Sequence, residues 1–170
     1  MAGSRSFNVK DLAIIALMTA ILFVQEQLLT SLPGIQLTIF LIILFSKKFG
    51  LIKTILIIII HVILDNIYMG SFSLLYTPTM LIGYLIIPIS ICTLFKKSES
   101  PIILAILSIV YSFIYCWLYI IPNYFLMHID PIAYLASDVL FEIPLAVFSF
   151  ISTLLLYKPC AKAMDLLMNK

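Results

Sequence analysis

The residues that could do chemistry are few, and several of them stand four positions apart. Asp138 and Glu142 would share one face of a helix, and so would His61 and Asp65. Two carboxylates on one face repel each other unless water, a proton or a cation lies between them. The Asp138–Glu142 pair is therefore either solvated at a polar boundary or part of a pocket lining, and both interpretations stay open.

For His61 and Asp65 we favour a local hydrogen-bonded pair that orients the loop after its helix. A metal site needs more ligands than the sequence supplies around them, and Cys92, Cys116 and Cys160 lack Cys/His metal spacing. There is also no glycine-rich phosphate loop and no nucleophile elbow. We therefore expect no catalytic residue, no metal and no cofactor.

Aromatic residues follow one face of a predicted helix at Tyr111, Tyr115 and Tyr119, with the single tryptophan, Trp117, beside them. Such a stripe usually packs in a core or anchors a membrane interface, and this is the interpretation we favour. The alternative is a stacking wall for a flat ligand. An aromatic cup with a few polar groups would be built from Tyr84, Trp117, Tyr119, Asn123, Asp138 and Glu142.

The composition indicates the solvent in which these residues stand. Of the 170 residues, 64% are hydrophobic and only 11% are charged. Soluble domains carry about 25% charged residues, and a water-soluble fold of this length could not bury so much apolar surface. We therefore predict an all-α polytopic membrane protein whose environment is the lipid bilayer, with no nucleic acid as a partner.

The apolar segments predict a bundle of six transmembrane helices in one membrane domain over residues 1–170. A tail over residues 1–9 begins with Met1-Ala2-Gly3-Ser4, which is typical of an expression remnant. The Leu32-Pro33-Gly34 turn and other Pro, Gly and charged breaks separate the spans. The predicted spans are residues 11–29, 36–45, 51–64, 79–95, 102–121 and 132–157. The second is short for a crossing, so it must be helped by its flanks or sit inside the bundle.

The basic residues orient the predicted bundle. All ten lie in the N-terminal segment, the loops after the second and fourth spans, or the C-terminal segment: Arg5, Lys10, Lys47, Lys48, Lys53, Lys96, Lys97, Lys158, Lys162 and Lys170. With six spans, these four segments fall on one side, which the positive-inside rule makes cytoplasmic. We therefore expect both termini in the cytoplasm and the protein in the plasma membrane of a prokaryote.

Small residues mark one face of the first span. Ala13, Ala16 and Ala20 lie on it, and Ala16 and Ala20 form a small-xxx-small pattern. Such a pattern lets another helix approach closely in lipid, within the bundle or from a partner subunit.

Together these features resemble the substrate-binding S component of energy-coupling factor (ECF) transporters. The resemblance covers the whole chain as a pattern of six spans with cytoplasmic termini. It includes the alanine motif within Ala13-Ile14-Ile15-Ala16-Leu17-Met18-Thr19-Ala20-Ile21-Leu22. It also includes an acidic residue at the end of the third span before a glycine, in Asp65-Asn66-Ile67-Tyr68-Met69-Gly70.

The resemblance implies a mechanism and partners. An S component captures a vitamin-like micronutrient outside and docks through Ala13, Ala16 and Ala20 on a membrane scaffold subunit, which two cytoplasmic ATPases drive. This chain would then be no enzyme itself. The family pocket lies in the outer halves of spans four to six, the region of the aromatic cup. Because no Lys or Arg is expected on that side, we predict a neutral or cationic ligand, such as thiamine or its pyrimidine, pyridoxine, cobalamin or a deazapurine.

Two other function classes stay open. The rod-shape protein MreD is also a small six-span protein, and it resembles this chain over residues 65–76; it would bind wall-synthesis proteins and need no ligand. An intramembrane enzyme could use Asp138, Glu142 or His61 as acid or base. The sequence shows neither a nucleophile–base pair nor a metal set, so the enzyme is the weaker alternative.

Overall fold

A computed structural model of the chain describes residues 8–168, apart from the side chain of Leu167. These residues form helices and no strand, which confirms the all-α prediction. The helices are α1 (Val9–Leu29), α2 (Thr38–Tyr68), α3 (Tyr76–Thr93), α4 (Pro101–Leu118), α5 (Ile120–Met127) and α6 (Pro131–Met168). Residues 1–7 of the predicted tail lie outside the described part of the chain, and so do Arg5 and Lys170.

Five segments are long and apolar enough to cross a membrane, as in a multi-pass membrane protein. They are Val9–Leu29, Thr38–Tyr68, Tyr76–Thr93, Pro101–Met127 and Pro131–Leu166. The predicted spans 36–45 and 51–64 both fall in α2. The number of six crossings and the cytoplasmic termini therefore stay predictions.

Helix α2 is interrupted at Gly50. Its φ of +76° and ψ of −177° are not helical, and they belong to a region that residues with a Cβ rarely occupy. Residues 38–49 and 51–68 are thus two helical halves joined by one glycine. The break falls between the predicted spans 36–45 and 51–64, after the polar residues Ser46, Lys47 and Lys48.

The two halves of α2 run in opposite directions along α1. Three side-chain pairs fix them, namely Gln25 with Thr38, Asp11 with Lys53, and Gln27 with Asp65. The first and last residues of α2 therefore meet the C-terminal end of α1, while Lys53 meets its N-terminal end. The chain reverses at Gly50.

The first half of α2 lies at the centre of the bundle. Every residue from Thr38 to Ser46 is buried, including Ile39, Ile42 and Phe45 with no exposed surface. A surface helix would bury only one stripe of its residues. The short predicted second span is therefore inside the bundle, which is one of the two arrangements that its length allowed.

The segment between the predicted spans 102–121 and 132–157 was expected to be a loop, which is wrong for residues 123–127 and 131 and right for residues 128–130. Helix α4 ends at Leu118 and α5 continues over residues 120–127, with Pro122 in its first turn, where a proline is tolerated. Helix α5 ends at His128, whose φ of +55° is left-handed. Helix α6 is also longer than the predicted span over residues 132–157, because it continues through Pro159 to Met168.

Small polar residues line the contact between α4 and α6. The buried ones are Ser108, Ser112, Ser149, Ser152 and Thr153. Small side chains let helices approach closely, and a hydroxyl can bond to its own helix, as Ser112 does to the carbonyl oxygen of Ser108 at 2.9 Å. This contact holds the acidic residues of α6 against α4.

The structure gathers the basic segments at one end of the bundle, here called the basic end. Lys10 donates to the carbonyl oxygen of Met168, Lys47 donates to that of Phe95, and Lys48 pairs with Asp165 at 2.6 Å. These contacts join the N-terminal segment, the turn at Gly50, the α3–α4 loop and the end of α6. The sorting of charge that the sequence indicated is therefore present in the fold.

Candidate functional site

The opposite end of the bundle is acidic. Its acidic side chains come from α1, α2, α6 and the residue before α6, and they are Glu26, Asp65, Asp130, Asp138 and Glu142. It has no Lys or Arg among the described residues, because those from Lys10 to Lys162 lie at the basic end. Any charged ligand here meets carboxylates first.

A cavity of about 320 Å³, the tyrosine cavity, lies between α4 and α6 at this end. It is lined by Tyr115, Cys116, Tyr119, Tyr134, Asp138 and Phe141. Two residues of the predicted cup, Tyr119 and Asp138, therefore face the same space. The lining is aromatic with one carboxylate, which suits a small ring-bearing ligand.

The tyrosine stripe of α4 serves two purposes in the fold. Tyr111 is buried, and its hydroxyl lies 2.7 Å from that of Ser90, so this end of the stripe packs in the core as favoured. Further along, the Tyr115 hydroxyl bonds to that of Tyr119 at 3.0 Å. This second part of the stripe forms a wall of the tyrosine cavity.

Tyr84 was predicted in the cup, but it lies behind the cavity wall. Its ring stacks on Tyr115 with centroids 4.7 Å apart and planes 13° apart, and its side chain has no exposed surface. Its hydroxyl has no hydrogen-bond partner. A buried hydroxyl without a partner costs free energy, so the Tyr84 hydroxyl lowers the stability of the unliganded protein.

Asn123 was predicted in the cup as a loop residue, and it stands instead on α5. Its side-chain oxygen accepts from the Tyr76 hydroxyl at 3.0 Å, and its amide donates to the carbonyl oxygen of Tyr119 at 2.8 Å. Both bonds are internal, so Asn123 ties α3 and α5 to the end of α4. It supports the position of Tyr119.

Glu142 and Trp117 form a separate pair beside the tyrosine cavity. The indole of Trp117 and the carboxylate of Asp138 are the neighbours of Glu142. Glu142 is only 5% exposed, and its Oε1 has no partner, so it is not a solvated surface acid. Asp138 is half-buried and lines the cavity, so the pocket interpretation fits this pair better than the solvated one.

The hydrogen-bonded pair favoured for His61 and Asp65 was wrong. Asp65 accepts instead from the Gln27 amide at 2.7 Å, and the Nε2 of His61 lies 2.9 Å from Oε2 of Glu26. This close contact is not a hydrogen bond, since neither ring nitrogen of His61 makes one. Both partners are on α1, about 35 residues away in sequence, so spacing could not reveal them.

Glu26 and Asp65 line a second cavity of about 210 Å³, the loop cavity. Residues 29–36, which include the α1–α2 connection, form one side, and Phe141 of α6 forms another. Because Phe141 also lines the tyrosine cavity, the two spaces adjoin at this residue.

Gly34 fixes the loop against α6. Its φ is +72°, and a Cβ there would lie 2.6 Å from the carbonyl oxygen of Phe141 and 2.9 Å from the Cβ of Pro144. Only glycine combines this conformation with so close an approach. The wall of the loop cavity therefore depends on a residue with no side chain.

The predicted docking residues all face outward. Ala13, Ala16 and Ala20 are exposed along one face of α1, while Ile15, Met18 and Leu22 on the other face are buried. The small-xxx-small pattern is therefore not used for packing inside the bundle. It leaves a smooth surface that another helix could approach closely.

The chain matches no protein-family model, no curated protein and no solved structure. Function is therefore inferred from the residues and their placement.

Proposed function

We propose that this chain is the substrate-binding S component of an ECF-type importer, with six membrane crossings and cytoplasmic termini. It captures a neutral or cationic vitamin-like micronutrient outside a prokaryotic plasma membrane. A scaffold subunit and two ATPase subunits then deliver the ligand inside. The observation that carries the proposal is the tyrosine cavity, with Tyr119 and Asp138, at the end opposite to the lysines.

Charge supports both the orientation and the class of ligand. Positive segments remain in the cytoplasm, so the acidic end would face outside, where a nutrient arrives. A carboxylate among tyrosines attracts a cation and a ring, whereas folate, pantothenate or biotin would favour a basic partner. Tight retention of folate but not of thiamine by the purified protein would overturn this part of the proposal.

The exposed alanine face of α1 supports docking on a partner helix. Replacing Ala16 and Ala20 with Leu would fill the smooth surface and push a partner away, without touching the tyrosine cavity. Ala136→Leu is the matched control, because Ala136 is also exposed but lies on α6.

The test is co-purification of the tagged full chain from its own membranes, followed by native mass spectrometry. We expect the wild type and the Ala136→Leu variant to bring down a membrane scaffold and two ATPases with a vitamin-sized ligand. The A16L/A20L variant should keep the ligand and lose the subunits. Co-purification of wall-synthesis proteins, with no ligand bound, would contradict this proposal and support the MreD-like role. Loss of the ligand in A16L/A20L would mean that the alanines serve the bundle itself.

A further inference from the structure

The loop cavity contains two carboxylates that nothing in the fold fully neutralises. Glu26 and Asp65 both line it, and Asp65 receives only the neutral amide of Gln27. The hydroxyl of Thr38, itself bonded to Gln25, reaches Glu26 at 3.3 Å. Neutral donors stabilise a carboxylate but leave its charge in place, so the cavity keeps an excess of negative charge.

His61 is the one basic side chain at this cluster among the described residues, and it is incompletely bonded. It has no exposed surface, and neither ring nitrogen makes a hydrogen bond, although Nε2 lies 2.9 Å from Glu26. One imidazolium can balance one carboxylate at most. A second positive charge is therefore missing beside Glu26 and Asp65, next to a buried imidazole whose nitrogens make no hydrogen bond.

The donor set suits an ammonium group better than a metal ion. Among the described residues, no three His, Cys, Asp or Glu side chains are placed to hold a metal together. An ammonium group needs only acceptors for its N–H bonds, and two carboxylates with nearby amide and hydroxyl oxygens supply them.

The acids also lie close to the tyrosines. The Glu26 carboxylate is an electrostatic neighbour of the hydroxyls of Tyr84, Tyr115 and Tyr119. Phe141 lines the loop cavity and the tyrosine cavity alike. A molecule whose ring lies against the tyrosines therefore has acidic groups in both directions, Asp138 in the tyrosine cavity and the Glu26–Asp65 pair in the loop cavity, and of these two cavities only the loop cavity is lined by two carboxylates.

We propose that Glu26 and Asp65 bind the ammonium group of a ring-bearing amine whose ring occupies the tyrosine cavity, with His61 positioning the Glu26 carboxylate. This inference rests on the ligand capture proposed above and narrows its ligand to a cation. It adds to the binding site three residues from α1 and α2, outside the helices that carry the predicted cup.

The probes for the test share one ring and differ in charge: benzylammonium, benzyl alcohol and benzoate. Binding to the purified full chain in lipid nanodiscs is measured by ligand-observed NMR. We expect benzylammonium to bind at least tenfold more tightly than benzyl alcohol, and benzoate not to bind. Equal binding of the alcohol, or no binding of any probe, would overturn the inference.

The variants are Glu26→Gln and Asp65→Asn, each of which keeps the size and the acceptor oxygen of the side chain. Asp130→Asn is the control, since that exposed acid only caps α6 through the backbone amides of Ile132 and Ala133. We expect at least a tenfold loss of benzylammonium binding in either variant and no change in the control. A variant that elutes as an aggregate is set aside in favour of the other one.

Three further results would contradict the assignment. Unchanged binding in both folded variants would remove the acids from the site. Mg²⁺ that displaces benzylammonium at equal concentration would indicate a metal site. Loss in Asp130→Asn as large as in Glu26→Gln would indicate a surface charge effect.

The two proposals fail separately. A wild type that binds no probe but co-purifies with scaffold and ATPases overturns the ammonium site alone. A protein that binds benzylammonium through Glu26 and Asp65, but never brings down those subunits, overturns the importer and leaves the site.

Discussion

His61 of α2 lies with its Nε2 2.9 Å from Oε2 of Glu26 on α1, at the acidic end of the bundle. The imidazole has no exposed surface, and the carboxylate is only 17% exposed. The contact therefore joins α1 and α2 inside the protein, beside the loop cavity that Glu26 lines.

Replacement of His61 by Asn should destabilise the protein, because Glu26 loses the imidazole that contacts it and part of a ring-sized space opens. Leaving a buried polar group unsatisfied costs about 1–3 kcal/mol. The measurement is the thermal unfolding midpoint in detergent, which should fall. His128→Asn is the control, since His128 is exposed and left-handed, a conformation that Asn tolerates. An equal fall in both variants would contradict the structural role of the Glu26 contact.

Gly34→Ala should also destabilise the protein. The left-handed backbone alone costs a residue with a Cβ about 1–2 kcal/mol, and the new methyl group would press on Phe141 and Pro144. Gly70→Ala separates these effects, because Gly70 has a φ of +62° and open space around it. Equilibrium unfolding should show the larger loss in Gly34→Ala. Equal losses would mean that the loop does not pack against α6 in this way.

Tyr84→Phe should leave the unliganded protein as stable as the wild type, or more stable by up to about 1 kcal/mol, because it removes a buried hydroxyl that has no partner. Tyr111→Phe is the matched comparison and should lose about 1 kcal/mol, because the Tyr111 hydroxyl bonds to Ser90. Thermal unfolding of both variants tests the assignment. A large loss in Tyr84→Phe would indicate a partner for the hydroxyl even without ligand.

The reversal at Gly50 predicts that both ends of α2 lie on the same side of the membrane. Single cysteines at Ser31, Ser71 and Lys97, in a chain without its three native cysteines, test this with a membrane-impermeant maleimide. We expect labelling of Ser31→Cys and Ser71→Cys on intact cells, and of Lys97→Cys only after permeabilisation. If α2 crossed only once, Ser31→Cys and Ser71→Cys would be labelled from opposite sides.

The sequence predicts the helical class and the sorting of charge well, because both depend on composition and on the placement of lysines. It predicts helix ends less well where a proline is ambiguous. The predicted span ends at residue 121, just before Pro122, although in the structure this proline stands in the first turn of α5. Proline is common both in loops and in the first turn of a helix. The residue type alone therefore cannot distinguish the two, and the packing of the residues that follow decides which one forms.

The candidate site could be predicted only in part. The cavity residues Tyr119 and Asp138 were found because each carries a local signal, a stripe or a pair on one helix. Glu26 was missed as a site residue, because its importance comes from His61 and the Gly50 reversal that brings them together. Contacts between distant helices depend on the fold and leave no periodic trace in a single sequence.

The enclosed first half of α2 constrains how the protein enters its membrane. Its twelve helical residues, 38–49, would extend only about 18 Å, well short of the roughly 30 Å hydrocarbon layer. Lipid cannot stabilise so short a segment alone, and residues 38–46 touch protein on all sides in the finished bundle. If both halves of α2 cross the membrane as proposed, we expect them to be inserted together as a helical hairpin, with the core forming when α3 and α6 close around it. Completion of the centre of the protein would then be a late event, although its sequence is synthesised early.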